Sequence, residues 1–222
     1  MKKILVAAVA VTMVLMAGSA FATIQGTKHD LTEGSATTVG YTAATVNISA
    51  CAFCHTPHNA QTGSTAPLWN RTTAASYVPY SNSTTSFSSR TVTIGSASKT
   101  CLSCHDGTVA IGDVAVGDDA QGTATIIAIT DRVGSDGKLS ANNLATIGTN
   151  LSNDHPVGFV VNESSTTAGL GSIANMKSKG ARFYVSDTTM ECGTCHDPHD
   201  NSKGNFLRLN AASICTDCHS TK

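Results

Sequence analysis

CAFCHTPH, residues Cys51 to His58, is the stretch that decides what kind of fold this chain adopts. Two cysteines three apart, with a histidine directly after the second, are arranged to capture one haem: the thiols bond its vinyl groups and the imidazole takes the iron. The same spacing recurs at Cys101/Cys104/His105, Cys192/Cys195/His196 and Cys215/Cys218/His219. Together the four motifs use all eight cysteines and four of the eight histidines, leaving no thiol for disulfides or nucleophilic chemistry. Disulfides are the first reading for cysteines in an exported chain, and closed zinc sites the second. Neither requires a histidine at the same place in every motif.

Working outward, Asn47 or Ser49 caps a short helix that carries the first motif, because their side chains accept orphan backbone N–H groups. On such a helix the cysteines share a face and His55 lies one turn from Cys51. Pro57 disfavours helical geometry in the residue before it, so this helix is expected to stop near Thr56. His58, just past the proline, lies too near the proximal side of its own haem to reach the opposite face. Its natural target is a neighbouring iron.

The stretch is repeated. CGTCHDPHDN, Cys192 to Asn201, parallels CAFCHTPHN, Cys51 to Asn59, and each copy leads to another CxxCH. This divides the chain into a signal peptide (1–22), a first dihaem module (23–110), a haem-free linking segment carrying His155 (111–190) and a second dihaem module (191–222). The first module carries an insertion near residues 72–98.

Four histidines remain after the proximal ones, His55, His105, His196 and His219. They are His29, His58, His155 and His199, the number needed to place one distal ligand on every iron. His58 and His199 share the repeated x-P-H context, Pro156 holds His155 in a turn, and His29 rests on the count. Met176 and Met190 compete as distal ligands, against a gap-filling role in the core. Iron with both axial positions filled has no site for substrate, which points to electron transfer over bond-making catalysis.

Composition agrees with a cofactor-dominated fold. Aromatic residues are 5% and charged residues 13%, so the chain buries little apolar surface of its own and has a weak drive to fold alone. The expected fold class is a multihaem cytochrome c: mostly coil, short helices at the haem motifs, a few short strands and a haem-dominated core. Trp69 is read as packing over a haem edge. Strands are expected at Arg90 to Ile94, Thr123 to Thr130 and Val157 to Val161. The second motif's helix is capped by Ser98 and stopped by Gly107. A helix spans Ser172 to Lys179, and the last motif's helix starts near Asn210. Asp131 to Gly137 reads as a turn, because it lacks the full spacing of a calcium loop.

Lys2 and Lys3, the apolar run Ile4 to Ala17 and the Ala20-Phe21-Ala22 site have the three parts of a secretory signal peptide. The run is too short to span a bilayer comfortably. Without Lys2 and Lys3 the chain keeps 12 of its 14 basic residues against 15 acidic ones, and nothing suggests nucleic acid as a partner.

On CAFCHTPHN with APLWNR (Cys51 to Arg71), CLSCHDGTVA (Cys101 to Ala110), DHPVGF (Asp154 to Phe159) and CGTCHDPH (Cys192 to His199), the chain resembles the secreted multihaem c-type cytochromes of metal-reducing bacteria. The resemblance extends to tetrahaem members that polymerise into conductive filaments. It implies four c-type haems in a continuous chain, an extracellular or cell-surface location, redox partners in the cell envelope and an external electron acceptor. It also implies a distal histidine supplied by the adjacent subunit. His29 lies near the mature start and the fourth motif near the end, so donation of His29 would be a head-to-tail contact, which does not close and builds a fibre. A monomeric periplasmic shuttle and a multihaem reductase with one open haem site are the alternatives.

Overall fold

In a computed structural model, residues 24–32, 49–73, 76–80, 92–115, 125–126, 133–161 and 169–220 are described. The signal peptide, Asn47, most of the Thr123 to Thr130 strand and the start of the Arg90 to Ile94 strand lie outside them. Regular structure is confined to short pieces in a chain that is mostly coil.

The first motif folds as a 3-10 turn, Ala50–Phe53, capped by Ser49, whose Oγ accepts the Cys51 N–H at 3.3 Å. It stops at Phe53, short of the expected Thr56, because the chain leaves the turn to pair His55 with Trp69 across an isolated antiparallel bridge. The one-turn relation survives, since His55 N–H donates to Cys51 O at 2.8 Å.

The second motif ends helix α1, Ser96–His105. Ser98 does not cap this helix; Gly95 is the cap residue and makes no side-chain cap bond. Ser98 is buried, and its hydroxyl donates to the carboxylate of Glu191, 93 residues away. That carboxylate also accepts backbone N–H groups at Gly95 and Ser98, so a distant acid does the capping. A Cβ on Gly95 would collide with it, so the close approach requires glycine here. Gly107, in the left-handed region at φ 70°, ends the helix as expected.

Two two-stranded ladders follow. Strand β1, Asp113–Val114, pairs antiparallel with β2, Thr125–Ile126, placing Asp113 opposite Ile126. Strand β3, Phe159–Val160, pairs antiparallel with β4, Thr189–Met190, placing Phe159 opposite Met190. Residues 92–94 form no strand, although Thr93 N–H donates to Gly158 O at 2.8 Å. The described part of the Asp131 to Gly137 stretch is a plain turn in which Asp136 Oδ1 accepts the Lys138 N–H.

Helix α2, Ile173–Ser178, matches its expected limits, with Ser172 Oγ accepting the Asn175 N–H at 3.1 Å and Gly180 just beyond the last turn. The third motif opens on α3, Cys192–Cys195, through a reciprocal capping box between Glu191 and Thr194. The fourth lies on α4, Ile214–Cys218, which begins only after a turn at Asn210 to Ser213.

Among the described residues, side chains pack into three small clusters. Phe53, Ile111 and Val114 lie beneath the first motif, and Ile94, Leu102 and Leu151 lie around α1. The third cluster, with Phe159, Met176, Phe183, Met190 and Leu209, supports the third and fourth motifs. Met176 and Met190 are fillers in this cluster, 0% and 3% exposed. Among the described residues no helix is long and apolar enough to cross a membrane.

Candidate haem sites

All eight cysteines are free thiols. Among the described residues no group of three or more His, Cys, Asp or Glu converges as a metal-binding cluster, so the paired cysteines do not build the four-donor site that zinc needs. Burial pushes the Cys54 thiol up to about 12, with Cys104 nearby adding to the effect and Arg71 opposing it. Burial likewise takes Cys195 up to about 11.

Three of the four imidazoles expected to be proximal are oriented by backbone carbonyls. Nδ1 of His55 donates to Pro67 O at 2.6 Å, that of His105 to Ala145 O at 2.8 Å, and that of His196 to Asn205 O at 3.0 Å. A carbonyl only accepts, so the proton is on Nδ1 and the Nε2 lone pair is left for a metal. His155 is held the same way, with Nδ1 to Pro156 O at 3.1 Å.

Each of these carbonyls lies on a chain segment returning over its motif, and in the first and third motifs the return is the same structure. Thr56 N–H donates to Leu68 O and Asn70 N–H to Cys54 O; in the second copy Asp197 N–H donates to Phe206 O and Arg208 N–H to Cys195 O. His55 bridges Trp69 as His196 bridges Leu207. Leu68 and Phe206 both take left-handed backbone, at φ 56° and 57°. The repeat therefore runs past x-P-H into Leu68-Trp69-Asn70-Arg71 and Phe206-Leu207-Arg208-Leu209. Sequence reasoning missed it because the intervening loops differ in length and the paired residues differ in type. Trp69 is almost fully buried, packed edge-on to His55 with ring centres 6.0 Å apart.

Opposite the proximal rings stand other histidines. His199 faces His55 with ring centres 6.1 Å apart and planes 17° from parallel. His29 faces His105 at the same 6.1 Å. An imidazole nitrogen binds a metal at about 2 Å and lies about 1 Å from its ring centre, so two rings on opposite sides of one metal have centres about 6 Å apart. Both pairs fit an iron between them. His29 is stacked on Phe206 at 4.1 Å, and burial first, then His105, bring it down to about 4, a value that keeps it neutral and able to ligate. Burial lowers the His155 pKa, the Pro156 bond works against the shift, and the nearby His219 adds a smaller lowering. His58 is exposed.

His29 thus stands against His105 of its own chain. The His29 ring N–H donates to Pro198 O and the ring stacks on Phe206, which ties this segment to the second CxxCHxPH copy.

Thiols of successive motifs are neighbours. Cys54 feels Cys104, Cys101 shares a hydrogen bond with Cys192 that keeps the proton on Cys101, and Cys195 feels Cys218.

Residues 187–222 match the family described as the doubled CXXCH motif. This marks a multihaem c-type cytochrome-like region that binds haem covalently and carries electrons. No curated protein matches the chain.

Proposed function

We propose that the protein is an exported electron carrier holding four c-type haems, each iron between two histidines. The observation that carries this reading is the 6.1 Å separation of His55 from His199 and of His29 from His105, each pair opposed across a position next to a CxxCH turn. An iron so held supplies one-electron exchange with no open coordination position.

The chain's own residues hold and orient. Carbonyls of Pro67, Ala145 and Asn205 fix the tautomer of the proximal rings and raise their basicity. His219 pairs with His155. Because the second copy's His199 serves the first copy's His55, the repeat assigns His58 of the first copy to His196 of the second. Contacts between the thiols of successive motifs support haems ordered in space as they are in sequence, with neighbours close enough for rapid exchange.

Assembly into a head-to-tail polymer at the cell exterior, passing electrons from the envelope to an external acceptor, completes the proposal. Exposure of both His58 and His196 favours a second arrangement of the one unmatched pair, in which the His58 on His196 comes from an adjacent copy. The test is mass spectrometry for four haems per chain, low-temperature EPR for low-spin iron, and electron microscopy of the secreted protein. Dilution separates the two arrangements: a high-spin iron that appears on dilution means a ligand from the neighbour. A high-spin iron that persists in the assembled protein and binds carbon monoxide overturns bis-histidine ligation and favours a reductase.

A further inference from the structure

The two copies that carry the first and third motifs share their backbone pairing but not their charge. Immediately after the returning segment, the first copy places Arg71, 1% exposed, and the second places Leu209, 0% exposed. Arg71 donates from Nη1 to Ile111 O and from Nη2 to Ala110 O at 2.7 Å and Ser103 O at 3.5 Å, while its Nε is buried without an acceptor. All these acceptors are neutral carbonyls. Among the described residues no carboxylate pairs with it, and protein atoms alone cover the side chain. It is an uncompensated buried cation, and its location is the seam between two haem-attachment turns: Asn70, the preceding residue, bonds Cys54 O and Ala52 O, while Ser103 precedes Cys104.

The second copy is neutral at the same place or carries the opposite sign. Of the cations around it, Arg208 is tied to Asp197 by an ion pair at 2.8 Å, and Arg182 and Lys203 are exposed to solvent, so none is a buried unpaired charge. The residue before Cys192 is the buried acid Glu191, where the first copy has Ala50.

We propose that Arg71 sets the redox order of the two repeated sites, making the haem on Cys51 and Cys54 the higher-potential member and the haem on Cys192 and Cys195 the lower. This inference rests on the haem-binding reading above. A buried positive charge disfavours the additional positive charge of ferric iron, and low local polarity keeps that interaction strong. Transfer of one electron from the third site to the first oxidises one iron and reduces the other, with no bond made or broken and no proton required. The charge difference between the copies favours that direction.

The experiment is redox titration of the holoprotein followed by NMR, with haem signals assigned through His55 and His196. In the unmodified protein the signals of the first site change to the reduced form before those of the third. Arg71→Leu, which installs the second copy's residue, lowers the first site's midpoint by about 59 mV or more, a tenfold change in the electron-sharing equilibrium, and leaves the third unchanged. Arg71→Lys keeps the unmodified order. If the third site reduces first in the unmodified protein, or if Arg71→Leu with four haems bound titrates like the parent, the proposal is overturned. A chain that carries no haem overturns the haem-binding reading instead, so the two failures are distinct. If Arg71→Leu does not accumulate, Arg71→Gln makes the same neutral comparison, and the unmodified titration decides by itself.

Discussion

At the scale of single residues, the sites depend on who orients each imidazole and who opposes it. His199 opposes His55 at 6.1 Å, so His199→Ala should open one iron per chain while the others stay six-coordinate. EPR should show one new high-spin signal, and carbon monoxide should bind with a stoichiometry of one. The same substitution at His29 should open the iron on His105. A change at the first iron with His29→Ala would contradict the pairing. Asn70 is a supporting residue of a different kind: fully buried, it donates from Nδ2 to Ala52 O at 2.6 Å and so closes the first turn. Asn70→Ala leaves that carbonyl unsatisfied, at a cost of about 1–3 kcal/mol. Thermal unfolding of the holoprotein should fall accordingly, with the ligation spectrum intact. The CxxCH spacing is a local signal, so the expected proximal histidines and thiols come from a few neighbouring residues. Arg71 within APLWNR carries no such mark, because a lone arginine gives no local sign that it will be buried.

At the scale of elements, the joint between α1 and α3 is centred on one buried carboxylate, with the Cys192 N–H donating to Ser98 Oγ and the Cys101–Cys192 hydrogen bond beside it. Glu191, 2% exposed, accepts from Ser98 Oγ and caps α1 while sharing a capping box with Thr194 at the start of α3. Glu191→Ala removes both caps and should destabilise the holoprotein by about 1–2 kcal/mol, as cap losses generally do. Gly95→Ala should be damaging through a separate cause, since its Cβ would meet the same carboxylate; a Gly95→Ala protein that unfolds like the parent would show that the two helices are not so closely joined. Burial raises the Glu191 carboxyl above its ordinary 4.5, with the Ser98 bonds working against the shift. The native state therefore holds this proton over a range in which the unfolded chain has released it. Stability is fully present below the ordinary glutamate value and declines as pH rises through the folded one. Unfolding temperatures measured from acid pH to neutrality should show that decline in the parent and a flatter profile in Glu191→Gln. Helix α2 and the β3 strand lay close to their expected places because caps and alternation are local signals. The cap of α1 was misassigned to Ser98 because its real partner is remote in sequence.

At the scale of the whole molecule, three small apolar clusters and a mostly coil chain leave the native state dependent on what the motifs bind. Chain produced without haem attachment should show no cooperative thermal transition and should be digested rapidly by protease. A sharp transition in the haem-free chain would mean that the clusters suffice. The long-range contacts have the same consequence for architecture. His199 reaches back to His55, and His29 docks on Pro198 and Phe206, so the two CxxCHxPH copies exchange support across most of the chain length.

Sequence by itself determined the CxxCH spacing at four places and the repeated x-P-H stretch, all set within a few residues that any local backbone must respect. Only the tertiary structure put His199 against His55 and His29 against His105, brought thiols of successive motifs together, and set a buried arginine in one copy where the other has leucine. Those facts depend on contacts between residues tens to more than a hundred positions apart. Such contacts are chosen by packing and by the burial of charge, and neither leaves a periodic mark on the chain.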